Sequence, residues 1–263
     1  IFEKKVSDLT LKGIPIIKNR KINGAILSIP KIKKETPILI MAGGKGSRLL
    51  PLTKKVPKPL VKLSDKPILY FIIQKIIKED FENIYISINH LAKQIKNFFQ
   101  SNDNFGLKVS FIEERKPLGT AGSLSLINLK NIENIIVINA DVITGLQYEK
   151  ILNYHKENRF DITMACMTHK YQVPFGSVIV KKNSFQKIKE KPIFETLVNA
   201  GIYVINKNLL KKIKKKNFLS MVDLINKLVL PKKVGIFPMH EEWMDIGNKE
   251  NLLLAREKMF QEK

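Results

Sequence analysis

The sequence predicts an α/β fold, a mostly parallel sheet with helices on its faces, joined to a smaller lobe made largely of strands. Two observations carry this. From residue 37 onward, apolar strand-like runs alternate with amphipathic helical runs, the pattern that winds a parallel sheet. Beyond about residue 160, strand-like runs succeed one another with few helices between them, which marks a change of architecture. A third observation points to function: the apolar run "PILI" opens into "MAGGKGSRLLPLTKKVPKPL", residues 41–60, a loop rich in glycine and lysine at the end of a buried strand.

Residues 1–34 stand outside the alternation, and within them "GIPIIKNRKINGAILSI" reads as a hairpin turning at "KNRKING". "PILIMA" is the first strand of the sheet. In the loop after it, Pro51, Pro57 and Pro59 exclude a helix, so the segment is not a G-x-G-x-x-G loop running into a helix. Nor does "GGKGSR" have the spacing of a Walker loop. Next come helical "PILYFIIQKIIKE", strand "NIYISIN", helical "LAKQIKNFFQ", strand "KVSFIEE", helical "TAGSLSLINL" and strand "NIIVINAD". The second lobe, built around the same sheet, takes its strands from "DITMACM", "GSVIV", "SFQKIKE" and "LVNAGIYVI". Helical "LLKKI", "SMVDLINKLV" and a helix from about 247 to 260 complete the chain. In such a sheet a ligand is expected in the crevice at the carboxyl ends of the strands.

Composition narrows the function classes. With 263 residues and 44% hydrophobic content the chain can bury a substantial core. No apolar run reaches membrane-spanning length and "IFEKKVSDLT" lacks the apolar core of a secretion signal, so a cytoplasmic protein without a membrane partner is expected. The net charge of +22 raises nucleic acid as a partner. That class is set aside, because only five basic residues are arginine and the lysines are spread through every segment without interleaved aromatics. Cys166, the single cysteine, lies in apolar "DITMACMTH" and is expected to be an inert buried thiol.

The loop after the first strand suits phosphate. Gly43, Gly44 and Gly46 let backbone amides approach an anion closely, while Arg48 and Lys58 offer a guanidinium fork and a mobile ammonium. Two carboxylates could hold a metal: Asp141 at the end of "IIVINAD", and Asp245 in "EEWMDIGNKE". A pair of carboxylates completed by substrate phosphates is what Mg²⁺ prefers.

These stretches, with "RKPLGTAGSL", "NADVIT", "EKP", "VNAGIYV" and "WMDIG", occur in the order found in sugar-1-phosphate nucleotidyltransferases, and the resemblance spans residues 38–250. It implies a Rossmann-like catalytic domain over residues 35–263 with a smaller sugar-binding lobe. It also implies Mg²⁺ as cofactor, and an NTP and a sugar-1-phosphate as partners, with self-association into a homodimer left open. On this resemblance Gly43, Gly44, Gly46 and Ser47 cradle phosphates and Arg48 meets the β and γ phosphates. Lys58 neutralises the α-phosphate, while Asn89, Gly119 and Thr120 hold base and ribose. Asp141 and Asp245 are the metal ligands. Gly176, Glu190, Lys191 and Asn199 face the sugar, with Lys191 on the acceptor phosphate. The family reads N-G-D where this chain has Asn139, Ala140 and Asp141. No side-chain nucleophile is implied, so His155 and His169 are expected to be structural, and His240 to act at most through a neighbour.

The donor and acceptor are argued separately. Guanine offers N1–H and N2–H₂ donors, for which Glu113 and Glu114 could supply acceptors, and "LGTAGSL" is closer to the guanylyl and mannose-type branch than to the thymidylyl branch. The hairpin region, residues 1–34, resembles the tail of a CBS regulatory module. Together with a first residue, Ile1, that is not Met, this implies a piece of a longer protein. A small bacterial group with that arrangement transfers guanylyl to glucosamine-1-phosphate for nonulosonic (legionaminic-type) acid synthesis. The expectation is therefore GTP plus glucosamine-1-phosphate. Mannose-1-phosphate, glucose-1-phosphate with thymidylyl or uridylyl transfer, and a catalytically silent nucleotide-sugar-binding homologue stand as alternatives.

Overall fold

In the computed structural model, residues 12–18, 21–28, 33–215 and 217–261 are described. The chain divides into two units, Ile1–Lys34 and Glu35–Lys263. The first unit holds an antiparallel hairpin of β1 (Lys12–Lys18) and β2 (Lys21–Ser28). Pairing continues to Lys18↔Lys21, so most of the expected turn "KNRKING" belongs to the second strand. Gly24 sits beside the break in register at Ile16/Ile17, where a strand glycine commonly marks a bulge.

The second unit is built on a seven-stranded sheet. Strands β3 (Ile38–Met41), β4 (Asn83–Ile88), β5 (Lys108–Glu113) and β6 (Asn134–Asn139) run parallel, β3 lying between β4 and β6. Successive side chains point to opposite faces. Ile38 and Ile40 accordingly join one apolar cluster while Leu39 joins the other. The first cluster includes helix α1 (Ile68–Lys78), whose Ile68, Leu69, Ile72, Ile73 and Ile76 form one buried stripe, and α2 (Ala92–Gln100) through Ile95 and Phe99. A sheet covered on both faces has no polar side, which is why its strands read as continuous apolar runs. The expected helix in "TAGSLSLINL" is shorter, α3 (Gly119–Gly122) succeeded by a 3-10 turn at Ser123–Leu126. Glycine and serine do not sustain the longer helix.

After the short strand β7 (Val142–Thr144) comes α4 (Tyr148–Asn158), which buries Tyr148, Ile151, Leu152 and His155 at helical spacing. Strand β8 (Ile162–Gln172) enters the sheet, a separate hairpin of β9 (Ser177–Lys181) and β10 (Ser184–Lys189) comes next, and β11 (Ile193–Asn206) returns between β6 and β8. β11 alone runs against the other strands of the sheet. Its first residues pair only with the exposed end of β8, and its last pair with both β6 and β8. Helices α5 (Lys207–Lys212) and α6 (Met221–Leu228) cover the second face through Leu209, Leu210, Met221 and Leu224. Strand β12 (Val234–Met239) forms the edge beside β8, the place where Pro238 is tolerated. The short β13 (Trp243–Asp245) pairs with β7, and α7 (Lys249–Gln261) closes the unit. The architecture is thus the mixed, mostly parallel Rossmann-like sheet that was expected. Among the described residues no helix is long and apolar enough to cross a membrane.

Candidate active site

From β3 the sheet grows one way through β4 to β5 and the other way through β6. A sheet that reverses its order leaves a crevice at the carboxyl ends of the two diverging strands. Here a cavity of about 420 Å³ opens, lined among others by Gly43, Gly44, Gly46, Ser47, Arg48, Lys58, Glu114, Gly119, Thr120 and Asp141.

The loop from β3 is shaped for close approach. Gly46 has φ +63°, and a Cβ there would stand 2.9 Å from Thr53 Cγ2 and 3.0 Å from Lys58 Cβ, so no side chain fits. Thr53 Oγ1 donates to the Gly46 carbonyl at 2.8 Å and fixes the bend. Ala42 N–H is bonded to the Ser87 carbonyl, but none of the N–H groups from Gly43 to Gly46 donates to backbone among the described residues. The prolines break the rest of the loop into 3-10 turns at Ser47–Leu49, Leu52–Lys54 and Lys58–Leu60. Leu49, Pro57 and Pro59 are buried while Arg48 is exposed and Lys58 half-buried. The backbone is therefore anchored, with Arg48 exposed and Lys58 lining the cavity.

The two carboxylates meet through the β7–β13 ladder. Asp245 pairs with Val142, the residue after Asp141, and Ile246 N–H donates to the Asp141 carbonyl at 2.9 Å. Lys58 Nζ donates to Asp141 Oδ2. Burial pushes the Asp245 carboxyl above the usual range, the Asp141 charge pushes it further, and Lys58 and Arg48 pull it back. Asp245 Oδ1 is buried without a hydrogen-bond partner. An orphaned carboxylate oxygen beside a second carboxylate suits a divalent cation. Among the described residues no group of three or more His, Cys, Asp or Glu is gathered, so the remaining ligands would be waters or oxygens of a bound substrate. Ala140, where the family has glycine, is not among the residues with positive φ, so its methyl group imposes no backbone strain.

At the far end of the cavity Glu114, 8% exposed, accepts from Ser87 Oγ and from Leu118 N–H at 2.8 Å. Asn89 does not line the cavity. It stands behind Gly43 and donates its amide to the Glu114 carbonyl at 2.5 Å. Gly119 has φ +79°, and a Cβ there would lie 2.6 Å from the Leu219 carbonyl oxygen. Thr120 lines the cavity, yet its hydroxyl accepts from Met221 N–H at 2.8 Å and so fixes the start of α6. Glu113 is corrected: as the neighbour of Glu114 it faces the other way, is ion-paired with Lys96 and does not line the cavity.

The residues expected to face sugar lie elsewhere. Gly176 and Glu190 are neighbours, a Cβ on Gly176 standing 3.1 Å from Glu190 Oε2. Lys191, at φ +43°, accepts on its carbonyl from Gln172 Nε2 at 3.1 Å. None of these three lines the cavity. Asn199 donates to Tyr203 Oη at 2.5 Å and accepts from Gly201 N–H at 2.9 Å, holding the β11 bulge. Gly201, at φ +73°, would bring a Cβ within 2.6 Å of Asn139 Nδ2 and so abuts the cavity wall. Sequence reasoning missed Ser87, which holds Glu114, and Phe218, which lines the cavity from the segment before α6. Cys166 is buried and its thiol pushed up by burial, as an inert cysteine would be. His155 is buried and bonded through Nδ1 to Thr163 Oγ1 at 2.8 Å, while His169 and His240 are exposed away from the cavity.

The fold and the cavity at its switch point define a Rossmann-like α/β domain with an anion-facing glycine loop and an acidic pair. Comparison with known proteins names the family: the chain belongs to the nucleotidyl transferases, whose profile matches residues 38–262. A mannose-1-phosphate guanyltransferase of Yarrowia lipolytica is 30% identical over 224 residues, covering 82% of this chain and 61% of that protein. The mannose-1-phosphate guanyltransferase beta-B of Xenopus laevis is 28% identical over 223 residues, covering 82% of this chain and 62% of that one. The chain thus spans less than two thirds of the length of these curated relatives. Among solved structures, HddC from Yersinia pseudotuberculosis matches at TM-score 0.68 and 26% identity, over 85% of this chain and 99% of that one. A UDP-glucose pyrophosphorylase complexed with UDP-glucose matches at TM-score 0.64 and 17% identity, over 87% of this chain and 99% of that one, and so shares the fold.

Proposed function

We propose that this domain transfers a guanylyl group from GTP to a sugar-1-phosphate, glucosamine-1-phosphate in the first place, and releases pyrophosphate. One observation carries the reading: Arg48, Lys58 and Asp141 line a single cavity with the glycine loop, and the β7–β13 ladder sets Asp245 beside Asp141. A catalytically silent relative would have no use for that whole set.

The chemistry is an in-line displacement at phosphorus. An oxygen of the sugar phosphate bonds to the α-phosphorus as the bond to the bridging oxygen breaks, and pyrophosphate leaves with that electron pair. The amides of Gly43–Gly46 and the Arg48 guanidinium hold the β and γ phosphates, so the leaving group keeps its charge partners as it departs. Lys58 turns its ammonium to the α-phosphate and lowers the repulsion met by the incoming anion. Mg²⁺ held by Asp141 and Asp245 would supply further charge stabilisation at the α-phosphate. Lys191 would meet the acceptor phosphate and Glu190 the sugar.

Guanine is favoured because Glu114 presents a carboxylate at the cavity wall. Two of its acceptor sites serve Ser87 and Leu118. A carboxylate has about four such sites, which leaves others for the guanine donors. Glu190 favours an amino sugar, whose cation it would pair. Mannose-1-phosphate is the second reading, supported by the names of the relatives. The hairpin unit is assigned to a CBS-like module on resemblance alone. Initial rates of pyrophosphate release for GTP, dTTP and UTP with glucosamine-, mannose- and glucose-1-phosphate test the assignment. A preference for GTP with glucosamine-1-phosphate is expected. A preference for dTTP with glucose-1-phosphate overturns donor and acceptor while leaving the reaction class.

A further inference from the structure

The carboxylate pair is already neutralised. Asp141 is ion-paired with Lys58, the lysine side chain 11% and the carboxylate 20% exposed. Around Gly247, Asp245 Oδ1 and Oδ2 and Arg48 Nη1 all lie within about 3.1 Å of one point, the place a Cβ on that glycine would take. Two carboxylates and two cations therefore stand together in one part of the cavity, and their formal charges cancel. A divalent cation entering this volume alone would meet an ammonium on one of its two ligands. It would have to displace that ammonium from a partly buried ion pair without giving it another partner, which leaves a cation uncompensated.

A polyphosphate changes the balance. It supplies acceptors within the same cavity, and Lys58 has a flexible four-carbon stem. The backbone that carries it is fixed between buried Pro57 and Pro59, so the side chain can swing without moving the loop. We propose that Lys58 is the resident counter-ion of the acidic pair, so that a divalent cation binds only together with, or after, a nucleoside triphosphate that draws the ammonium off Asp141. This rests on the reading of the cavity as a nucleotide and metal site. It assigns Lys58 a second task, keeping the metal position closed until the nucleotide is present.

Mn²⁺ binding to the nucleotide-free protein, monitored by electron paramagnetic resonance, tests the proposal without turnover. The wild type is expected to bind Mn²⁺ weakly, and Lys58→Met, which keeps the apolar stem and removes the charge, at least about tenfold more tightly. Lys58→Arg retains a cation and should bind as weakly as the wild type, while Asp245→Asn added to Lys58→Met should abolish the gain. Lys58→Gln carries the same expectation as Lys58→Met should the latter fail to melt cooperatively. Mn²⁺ should also raise the melting temperature of Lys58→Met more than that of the wild type, because the variant leaves two carboxylates facing one another. Equal Mn²⁺ affinity in wild type and Lys58→Met overturns the counter-ion role and leaves the reaction class standing. Absence of Mn²⁺ binding in every protein, with and without a non-hydrolysable GTP analogue, overturns both this role and the metal assignment beneath it.

Discussion

The half of the domain around the cavity and the exposed lobe of β9 and β10 hold their side chains by different means. Around the cavity, β3 and β6 are buried on both faces, and Lys58, Asp141 and Asp245 hang from backbone fixed by that packing, by buried prolines and by the β7–β13 ladder. On the lobe, the β9–β10 hairpin and the facing ends of β8 and β11 are exposed, with Phe175 72% and Phe185 64% accessible. Glu190 and Lys191 stand there in the exposed bend between β10 and β11, outside either strand, with the Gln172 amide on the Lys191 carbonyl. A two-stranded hairpin without a covering layer is held only weakly. The contrast teaches that the geometry around the cavity is set in advance by the core, whereas the lobe's side chains are placed by far fewer contacts.

Substitutions can break or sharpen this contrast, the strongest first. Asp141→Asn and Asp245→Asn are each expected to lower kcat about a thousandfold with unchanged far-UV circular dichroism. Near-normal turnover in either would remove the acidic pair from the chemistry and leave the two regions equivalent. Next is the pH response of the packed half. Burial holds His155 down at about 4 from its ordinary 6.5, Asp161 opposing and Lys156 adding to the effect. Between those values the unfolded chain takes up a proton that the folded chain refuses, so stability is full above pH 6.5 and falls as pH drops towards 4. The loss is on the order of 3 kcal/mol, read by urea unfolding across that range. His155→Gln should flatten the slope, whereas His169→Gln on the exposed lobe should leave it intact.

Arg48→Ala should lower kcat/KM about a hundredfold, the scale of one preorganised charge. Glu190→Gln and Lys191→Ala should raise KM for the sugar phosphate about tenfold, the worth of one charged hydrogen bond, and leave the GTP dissociation constant as it is. A change in GTP affinity from either lobe variant would show that the halves are coupled before the acceptor binds. The smallest effect is expected from removing residues 1–34, which should leave GTP binding and kcat/KM unchanged, since the family match begins at residue 38.

The strands and the helix-free backbone of the glycine loop were legible because each rests on local information. An apolar run buried on both faces is visible as such, and three glycines with three prolines permit few backbones. The features that stayed hidden were long-range or too short to read. β13 has three residues and no periodicity, so its pairing with β7, which joins Asp245 to Asp141, leaves no trace in either stretch. β12 was concealed by Pro238, acceptable only because the strand is at an edge. α4 was readable, its buried Tyr148, Ile151, Leu152 and His155 spaced three and four apart, and was missed. The pairing of Glu113 with Glu114 as base contacts failed on strand alternation, which sends neighbours to opposite faces. Ala140 stands where the resembled pattern has glycine, and its φ is not positive, so alanine is accommodated there without backbone strain.

The β7–β13 ladder also sets the order in which the acidic pair can be assembled. Chains emerge from the ribosome amino end first, and domains fold as their sequence becomes available. The glycine loop, Arg48, Lys58 and Asp141 are all translated about a hundred residues or more before β13. A nascent chain therefore carries the glycine loop, Arg48, Lys58 and Asp141 without the second carboxylate until Asp245 arrives from the exit tunnel. Clipping by a protease between β7 and β13 that let the later piece escape would part Asp245 from Asp141 and take Gly247 from the cavity wall, so the earlier piece would keep the loop without the completed site.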